Sequence, residues 1–269
     1  TQSPSPDNPG LFNWVLVMIL SMIWGAAFMA MTVALEGFGP RMVAGGRLGF
    51  GAIALISLGA LIGQPITAVS KVAGARGWLF CAAIGTIALA MPMLMLTWGQ
   101  QFVPSAFAGV AMATVPLLVL PLVYVFSPEE GVGRNRIIGM VLGCIGLLVL
   151  VGPGAFSGAD GDMVFWGRLA CICAACGYAV GSVLTRRAPK MPPIALASGT
   201  MACAALIVVP LALLTEPLPA TFELRPSLAL LYAALFPTAL GAIIRVRVIT
   251  TAGSIFIFYP NLNTIGMLI

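Results

Sequence analysis

Histidine is missing from this 269-residue sequence, and acidic and basic residues together make up only 8% of it. The lack of histidine excludes a Ser–His hydrolase and a His-ligated metalloprotease. Every aspartate and glutamate lies away from the middle of the apolar runs, which excludes an aspartyl mechanism built on two facing carboxylates. We therefore expect a protein that is not an enzyme, with no catalytic residue, cofactor or bound metal.

The scarcity of charge also identifies the solvent. Hydrophobic residues make up 60% of the chain and the mean hydropathy is +1.07, whereas soluble domains are about 25% charged. So few charges could not cover the surface of a soluble fold of this length, so most of the chain must contact the lipid bilayer. The net charge of +5 then serves to orient the protein, and it does not indicate a nucleic-acid partner.

Nine apolar segments are long enough to cross a membrane, which takes about 20 residues in a helix. The connections between them are short and rich in proline, glycine and charge, and none could hold a soluble domain. The sequence therefore predicts an all-α integral membrane protein that forms one bundle. The predicted helices cover residues 12–34, 41–63, 78–98, 105–126, 135–152, 163–184, 193–214, 227–246 and 251–269.

All six cysteines lie in these apolar segments. Cys171, Cys173 and Cys176 are close enough in sequence to suggest a metal site, but without histidine such a site would need thiolates alone. A free cysteine ordinarily behaves as a small hydrophobic residue. We expect packing roles and no disulfide framework.

Basic residues are divided unevenly between alternate connections. The connections after helices 1, 3, 5 and 7 hold only Arg41 and Arg225. The other connections hold nine basic residues: Lys71, Arg76, Arg134, Arg136, Arg186, Arg187, Lys190, Arg245 and Arg247. Because basic connections remain in the cytoplasm, the N-terminus is predicted to be cytoplasmic.

The sequence also contains a weak internal repeat. A shift of 152 residues places Gly25, Pro40 and Thr86 on Gly177, Pro192 and Thr238. A unit of five helices crosses the membrane an odd number of times, so its second copy must enter from the opposite side, as in many secondary transporters. This inversion explains why the turn after helix 6 is basic and the turn after helix 1 is not. We predict two inverted five-helix units, residues 1–152 and 153–269, with nine helices in this chain and a tenth expected.

Three motifs stand out in the apolar segments. They are WGAAF at 24–28, followed by Gly-Pro and an arginine in helix 2; SAFAGVAMATVPLLVLPLVYVF at 105–126; and RIIGMVLGCIGLLVLVGP at 136–153. Together they resemble the drug/metabolite transporter superfamily, and within it the ten-helix EamA-type exporters. The resemblance covers helices 1–9. It implies a protein of the bacterial cytoplasmic (inner) membrane in which helices 1, 3, 4, 6, 8 and 9 surround a central cavity.

The same resemblance implies export of small metabolites by alternating access. An aromatic-rich, carboxylate-poor member looks most like the exporters of aromatic and other apolar amino acids, acting as a monomer. No carboxylate lies at mid-membrane depth to carry a proton, so we expect transport without proton coupling. Export of other solutes or drugs such as nucleobases, a channel, and a non-transporting assembly protein remain alternatives.

Two arginines lie inside apolar segments, Arg47 in helix 2 and Arg168 in helix 6. Each could extend its side chain to the membrane surface, or could anchor a substrate carboxylate through the two parallel hydrogen bonds of a guanidinium. The family resemblance implies that helix 6 lines the cavity and helix 2 does not. Arg168 is therefore the predicted anchor.

Aromatic and uncharged polar side chains complete the predicted site. Trp98 and Trp166 lie near the outer ends of their helices, where they could belong to the interfacial aromatic belt or to a cavity wall. Thr86 and Thr238 are matched by the repeat, although each could bond its own helix instead. The predicted substrate-binding residues are Trp24, Thr86, Trp98, Gln101, Trp166, Arg168, Tyr178, Thr238 and Tyr259.

Cysteine labelling tests the predicted inversion. In a variant without the native cysteines, a cysteine at Ala75, next to Arg76, should react with a membrane-impermeant maleimide only in permeabilised cells. A cysteine at Ala159, next to Asp160, should react in intact cells, because the two connections are predicted on opposite sides. Labelling of both from the same side would refute the inverted arrangement.

Overall fold

The computed structural model describes residues 10–115 and 161–241, with isolated positions 118, 119, 122, 142, 145, 146 and 244. These residues form helices joined by short connections, and they contain no strand. In chain order the elements are α1 (Gly10–Ala34), α2 (Pro40–Leu61), α3 (Ala68–Ile84), π1 (Gly85–Ala90), α4 (Met91–Gly99), α5 (Ser105–Ala113), α6 (Asp162–Arg187), α7 (Pro193–Thr215), α8 (Leu224–Ala234) and π2 (Leu235–Leu240). The elements α3, π1 and α4 are continuous and together form helix 3. In the same way, α8 and π2 form helix 8.

The all-helical membrane fold is confirmed by the described helices. Five of them are long and apolar enough to cross a membrane: Leu11–Ala34, Pro40–Leu61, Ala68–Gly99, Asp162–Thr185 and Pro193–Thr215. The stretch Leu224–Leu240 is a shorter apolar helix. Of the predicted helix at 135–152 only positions 142, 145 and 146 are described, and the predicted helix at 251–269 lies outside the described residues, as does Tyr259.

Helix 3 begins earlier than the sequence predicts, at Ala68. Gly74 separates its first turns from the rest, with φ of 54° and ψ of −141°, a conformation that side chains rarely adopt. Across this break the Trp78 indole donates a 2.8 Å hydrogen bond to the Ser70 hydroxyl. Hydropathy did not reveal the added turns because Lys71 and Arg76 interrupt the apolar pattern.

The most extensive contact in the described bundle joins α2 to α7. Gly45 and Gly49 face this interface, and a Cβ added to either would lie 3.3 Å from a side-chain atom of Ala212 or Val209, respectively. Small residues allow such close approach, because helices in lipid associate by van der Waals packing and hydrogen bonds. The Gly45-x-x-x-Gly49 spacing is typical of such closely packed helices.

Hydrogen bonds connect α2 and α7 towards the predicted cytoplasmic side. The Ser198 hydroxyl donates to the Leu55 carbonyl oxygen at 3.1 Å. The backbone N–H of Ile194 donates to Gln64 Oε1 at 3.2 Å. Because residues early in α7 meet residues late in α2, the two helices run antiparallel.

Glu216 connects the other end of the same pair. Its carboxylate accepts hydrogen bonds from the backbone N–H groups of Arg41 at 3.0 Å and Met42 at 2.8 Å, in the first turn of α2. These N–H groups have no partner within their own helix, and a negative charge is favoured at a helix N-terminus. A Cβ on Gly39 would collide with the carboxylate, so glycine at this position keeps the contact open.

Helix 8 packs antiparallel against α1. The Trp24 indole, near the middle of α1, donates a 3.2 Å hydrogen bond to the Pro237 carbonyl oxygen in π2. Just beyond the end of α1, Gly37 lies against Pro226 at the start of α8, where an added Cβ would be 2.8 Å from the proline ring. The two contacts fix the register along the whole pair.

The third antiparallel pair is formed by π1 and α4 against α6. Gly99 at the end of α4 lies so close to Gly167 that an added Cβ would be 2.7 Å from its carbonyl oxygen. Near the other end, Gly181 meets Ala88 of π1. Following the chain through these pairs, α1 and α6 run in opposite directions. Helices 5 and 9 lie outside the described residues, so the two complete units remain a prediction.

Both third helices of the predicted repeat contain a π-helical segment beside a proline. Pro92 follows π1 by two residues, and Pro237 lies inside π2. Proline supplies no backbone N–H, and π segments in α-helices frequently occur at functional sites. Thr86 lies in π1 and Thr238 in π2. The two helices therefore depart from regular hydrogen bonding at corresponding places.

Gly181 should not accept even a methyl group. An added Cβ would overlap the Cβ of Ala88, so Gly181→Ala should lower the free energy of unfolding by about 1–3 kcal/mol, the usual cost of overpacking. Adding Ala88→Gly removes the opposing methyl and should recover much of the loss. Melting temperatures in detergent measure both effects.

Gly25→Ala is the matched control, because an added Cβ there has nothing within 4 Å. Alanine is also the better helix former, so this variant should be at least as stable as the natural sequence. Equal losses for the two glycine substitutions would contradict the described packing.

Candidate functional site

Arg47 lies inside the bundle, where side chains of three helices meet at its guanidinium. It projects from α2 and is 9% exposed. Its Nε donates a 3.1 Å hydrogen bond to Thr238 Oγ1 in helix 8, and its Nη1 lies 3.5 Å from the Met31 sulfur in α1. Arg47 therefore connects α2 to α1 and helix 8.

The Thr238 hydroxyl compensates for the backbone hydrogen bond that Pro237 cannot donate in helix 8. Proline has no N–H to donate to the Ala233 carbonyl oxygen four residues earlier. The Thr238 hydroxyl donates to that oxygen instead, at 3.0 Å. Gly51 of α2 leaves the room for this side chain, since a Cβ at that position would lie 2.8 Å from the threonine methyl. The threonine thus bonds its own helix, one of the predicted alternatives, and also accepts from Arg47.

The charge on Arg47 is incompletely compensated within the described part of the chain. A guanidinium has five N–H donors, and two of its nitrogens make the contacts to Thr238 and Met31. Among the described residues no carboxylate forms an ion pair with it. An ionised group inside a membrane protein is costly unless it is paired, and such groups usually mark solute pathways. Arg47 is therefore a candidate site for an anionic group.

Gln100 contacts α1 within one turn of Met31, the residue that Arg47 meets, and has a side-chain acceptor without a donor among the described residues. It is 4% exposed, and its Nε2 donates a 3.2 Å hydrogen bond to the Phe28 carbonyl oxygen. The same nitrogen lies 3.5 Å from the Thr32 hydroxyl oxygen. Gln100 Oε1 is buried and has no hydrogen-bond partner among the described residues. A buried amide oxygen without a donor is uncommon, and it suits a ligand that donates.

Three of the predicted site residues line a groove near the predicted outer ends of the helices, which we call the outer groove. Its volume is about 650 Å³. Trp98 and Trp166 are 36% and 52% exposed, and Gln101 lies beside them. The groove is otherwise lined by Pro40, Arg41, Leu94, Met95, Phe102, Leu169, Ala170, Cys173, Leu211 and Glu216. This exposure is compatible with the aromatic belt and with a substrate wall.

The remaining described site residues lie outside this groove. Trp24 donates its hydrogen bond to Pro237 of helix 8, next to Thr238, and Tyr178 is partly buried on α6. Arg168 is partly buried on α6, and its guanidinium carbon lies 5.8 Å from the centre of the Phe107 ring in α5. Thr86 is partly buried in π1. The described site residues are therefore divided between the outer groove, the Pro237–Thr238 part of helix 8, and separate positions on α6 and π1.

The three neighbouring cysteines do not converge in the described structure. Cys171 is buried, where a Cβ on Gly99 would lie 3.0 Å from its sulfur. Cys173 and Cys176 are exposed. No group of three or more cysteine, aspartate or glutamate side chains gathers as metal ligands within the described ranges.

The chain is similar to known membrane transporters in sequence and to a solved structure in fold. Residues 12–152 match the EamA-like transporter family. The inner membrane transporter YedA of Escherichia coli is 30% identical over 234 residues, covering 85% of this chain and 70% of YedA. The transporter YoaV of Bacillus subtilis is 26% identical, covering 63% of this chain and 56% of YoaV.

Two further similarities extend the comparison. A WAT1-related chloroplastic protein of Arabidopsis thaliana is 27% identical, covering 70% of this chain and 44% of that protein. A crystal structure of a protein with 19% sequence identity has a TM-score of 0.65, covering 94% of this chain and 86% of the other. At that identity the structural similarity supports the fold alone.

Replacing the Thr238 hydroxyl should destabilise the bundle. Thr238→Val keeps the shape but leaves the Ala233 carbonyl and Arg47 Nε without their partner, which should cost about 1–3 kcal/mol. Thr238→Ser retains the hydroxyl and should recover most of this stability. Thr215→Val is the matched control, because that exposed hydroxyl bonds only the Leu211 carbonyl of its own helix. A melting temperature unchanged in Thr238→Val would contradict the described hydrogen bonds.

Proposed function

Because the chain belongs to the EamA-like transporter family, we propose that it exports aromatic and other apolar amino acids across the inner membrane by alternating access. A carrier needs a site at membrane depth that is built from movable elements. Transporters commonly build such sites from discontinuous helices. Helices 3 and 8 are continuous, but each departs from regular α-helical hydrogen bonding at a π segment beside a proline, a feature frequent at functional sites.

The observation that supports the proposal most directly is the buried guanidinium of Arg47 beside the break in helix 8. It offers hydrogen-bond donors to an anionic group inside a structure with little other charge. Trp24 and Met31 of α1 supply aromatic and apolar surface next to this region. A small solute with one carboxylate and an apolar side chain matches that combination.

The positions of the acidic residues support transport without proton coupling. The chain has eight acidic residues, at positions 7, 36, 129, 130, 160, 162, 216 and 223. Among the described ones, Glu36 lies 3.5 Å from Arg225 on an exposed surface, and Glu216 binds the first turn of α2. Asp162 is exposed in the first turn of α6, and Glu223 is exposed at the N-cap of α8. None of these four is placed to load and release a proton at membrane depth.

Uptake by proteoliposomes tests this function. Vesicles containing the purified chain and preloaded with unlabelled phenylalanine should accumulate labelled phenylalanine by exchange, without any ion gradient. A protonophore should leave the rate unchanged, and protein-free vesicles are the control. Strict dependence on a proton gradient would refute uncoupled transport. Exchange of none of the twenty amino acids would refute the proposed substrate class.

A further inference from the structure

We propose that Arg47 and Gln100 bind the two charged ends of a zwitterionic amino acid, Arg47 the carboxylate and Gln100 Oε1 the ammonium. This proposal rests on the function proposed above and names the residues that recognise the shared part of the substrates. Both side chains are more than nine-tenths buried. Each also retains hydrogen-bonding capacity that the described residues leave unused.

The carboxylate end follows from the orientation of Arg47. Nε is committed to Thr238, and Nη1 faces a methionine sulfur, which is a weak acceptor. Within the described residues the Nη donors therefore lack a strong acceptor. A carboxylate provides two oxygens at the spacing of the guanidinium nitrogens, and it would also neutralise the buried charge.

The ammonium end follows from the orientation of Gln100. The Phe28 carbonyl oxygen can only accept, and it already accepts from the Thr32 hydroxyl at 3.2 Å. The amide group that faces it at 3.2 Å must therefore be the nitrogen. This fixes Oε1 on the other side, buried and without a donor. An ammonium group donates and does not accept, so it satisfies this oxygen.

The two groups contact the same short part of α1. Arg47 meets Met31, and Gln100 meets Phe28 and Thr32. These residues lie within about one turn, a rise of about 5.4 Å. Phe28 and Met31 also supply apolar surface, and the Phe28 ring faces Gly109 of α5, whose added Cβ would be 3.5 Å from it. Recognition would thus rely on the backbone charges that all α-amino acids share, with apolar surface for the side chain.

The experiment measures binding of three ligands to the purified full-length chain. The ligands are L-phenylalanine, 3-phenylpropionate, which lacks the ammonium, and phenethylamine, which lacks the carboxylate. Each omission should weaken binding to the natural sequence by about tenfold or more, since a charge-assisted hydrogen bond is lost. Equal affinity for all three would overturn the proposal.

The variants assign each end. Arg47→Gln should weaken phenylalanine and phenylpropionate by about tenfold or more and leave phenethylamine nearly unchanged. Gln100→Leu should weaken phenylalanine and phenethylamine and leave phenylpropionate nearly unchanged. A purely structural role would weaken all three ligands alike, and that result would overturn the assignment.

Three further variants make the result unambiguous. If Arg47→Gln does not fold, Arg47→Lys tests the same point, because it keeps the charge and loses the planar pair of donors. Arg225→Gln, which breaks only an exposed ion pair with Glu36, should leave all three affinities unchanged. Arg168→Gln tests the anchor predicted from sequence, and a loss selective for carboxylates there but not at Arg47 would overturn the proposal.

Transport by the natural sequence separates this inference from the proposed function. Phenylalanine exchange together with uniform losses in the Arg47 and Gln100 variants would refute the binding assignment alone. Selective binding without exchange in proteoliposomes would retain the assignment and refute the carrier function.

Discussion

The Thr238 hydroxyl provides a hydrogen-bond partner for two polar groups inside the bundle, the Arg47 guanidinium and the Ala233 carbonyl. A carbonyl released by a proline and a guanidinium without a carboxylate are each unfavourable in a medium that excludes water. One threonine hydroxyl donates to the carbonyl and accepts from the guanidinium. The Trp24 indole bonds the Pro237 carbonyl nearby. The positions of helices 1, 2 and 8 therefore depend on the same small group of polar atoms.

Glycine determines how closely the antiparallel helices can approach. Lipid removes the hydrophobic driving force between helices, so close contact and hydrogen bonding must hold them together. Gly181 contacts Ala88, and Gly99 contacts Gly167, so that backbones rather than long side chains form the α4–α6 interface. Gly51 has a different function, since it leaves room for the threonine that binds Arg47. Packing and the candidate site thus depend on the same residue type.

Hydropathy and charge could predict the spans and their alternating directions, because both depend on local composition. They could not predict which side chain of a helix faces the interior. Gln100 and Gln101 are adjacent in the turn that follows α4, yet the structure buries the first and exposes the second. The sequence favours Arg168 over Arg47 as an anchor only because the family resemblance implies that helix 2 does not line the cavity. In fact α2 exposes Ile53 while burying Arg47, so one helix serves both environments. The Gly74 break and the π segments likewise depend on tertiary packing.

The carboxylate of Glu216 has a mechanical consequence for the protein. It joins the end of α7 to the first turn of α2, while Ser198 and Gln64 join the same helices near the opposite end. Sliding of one helix along the other would break all of these bonds at once and force the glycine-lined surfaces out of register. We therefore expect α2 and α7 to move as one rigid unit. Arg47 lies on this pair and bonds helix 8 through Thr238, so the alternating access proposed above would change the position of helix 8 relative to a charge that stays on α2.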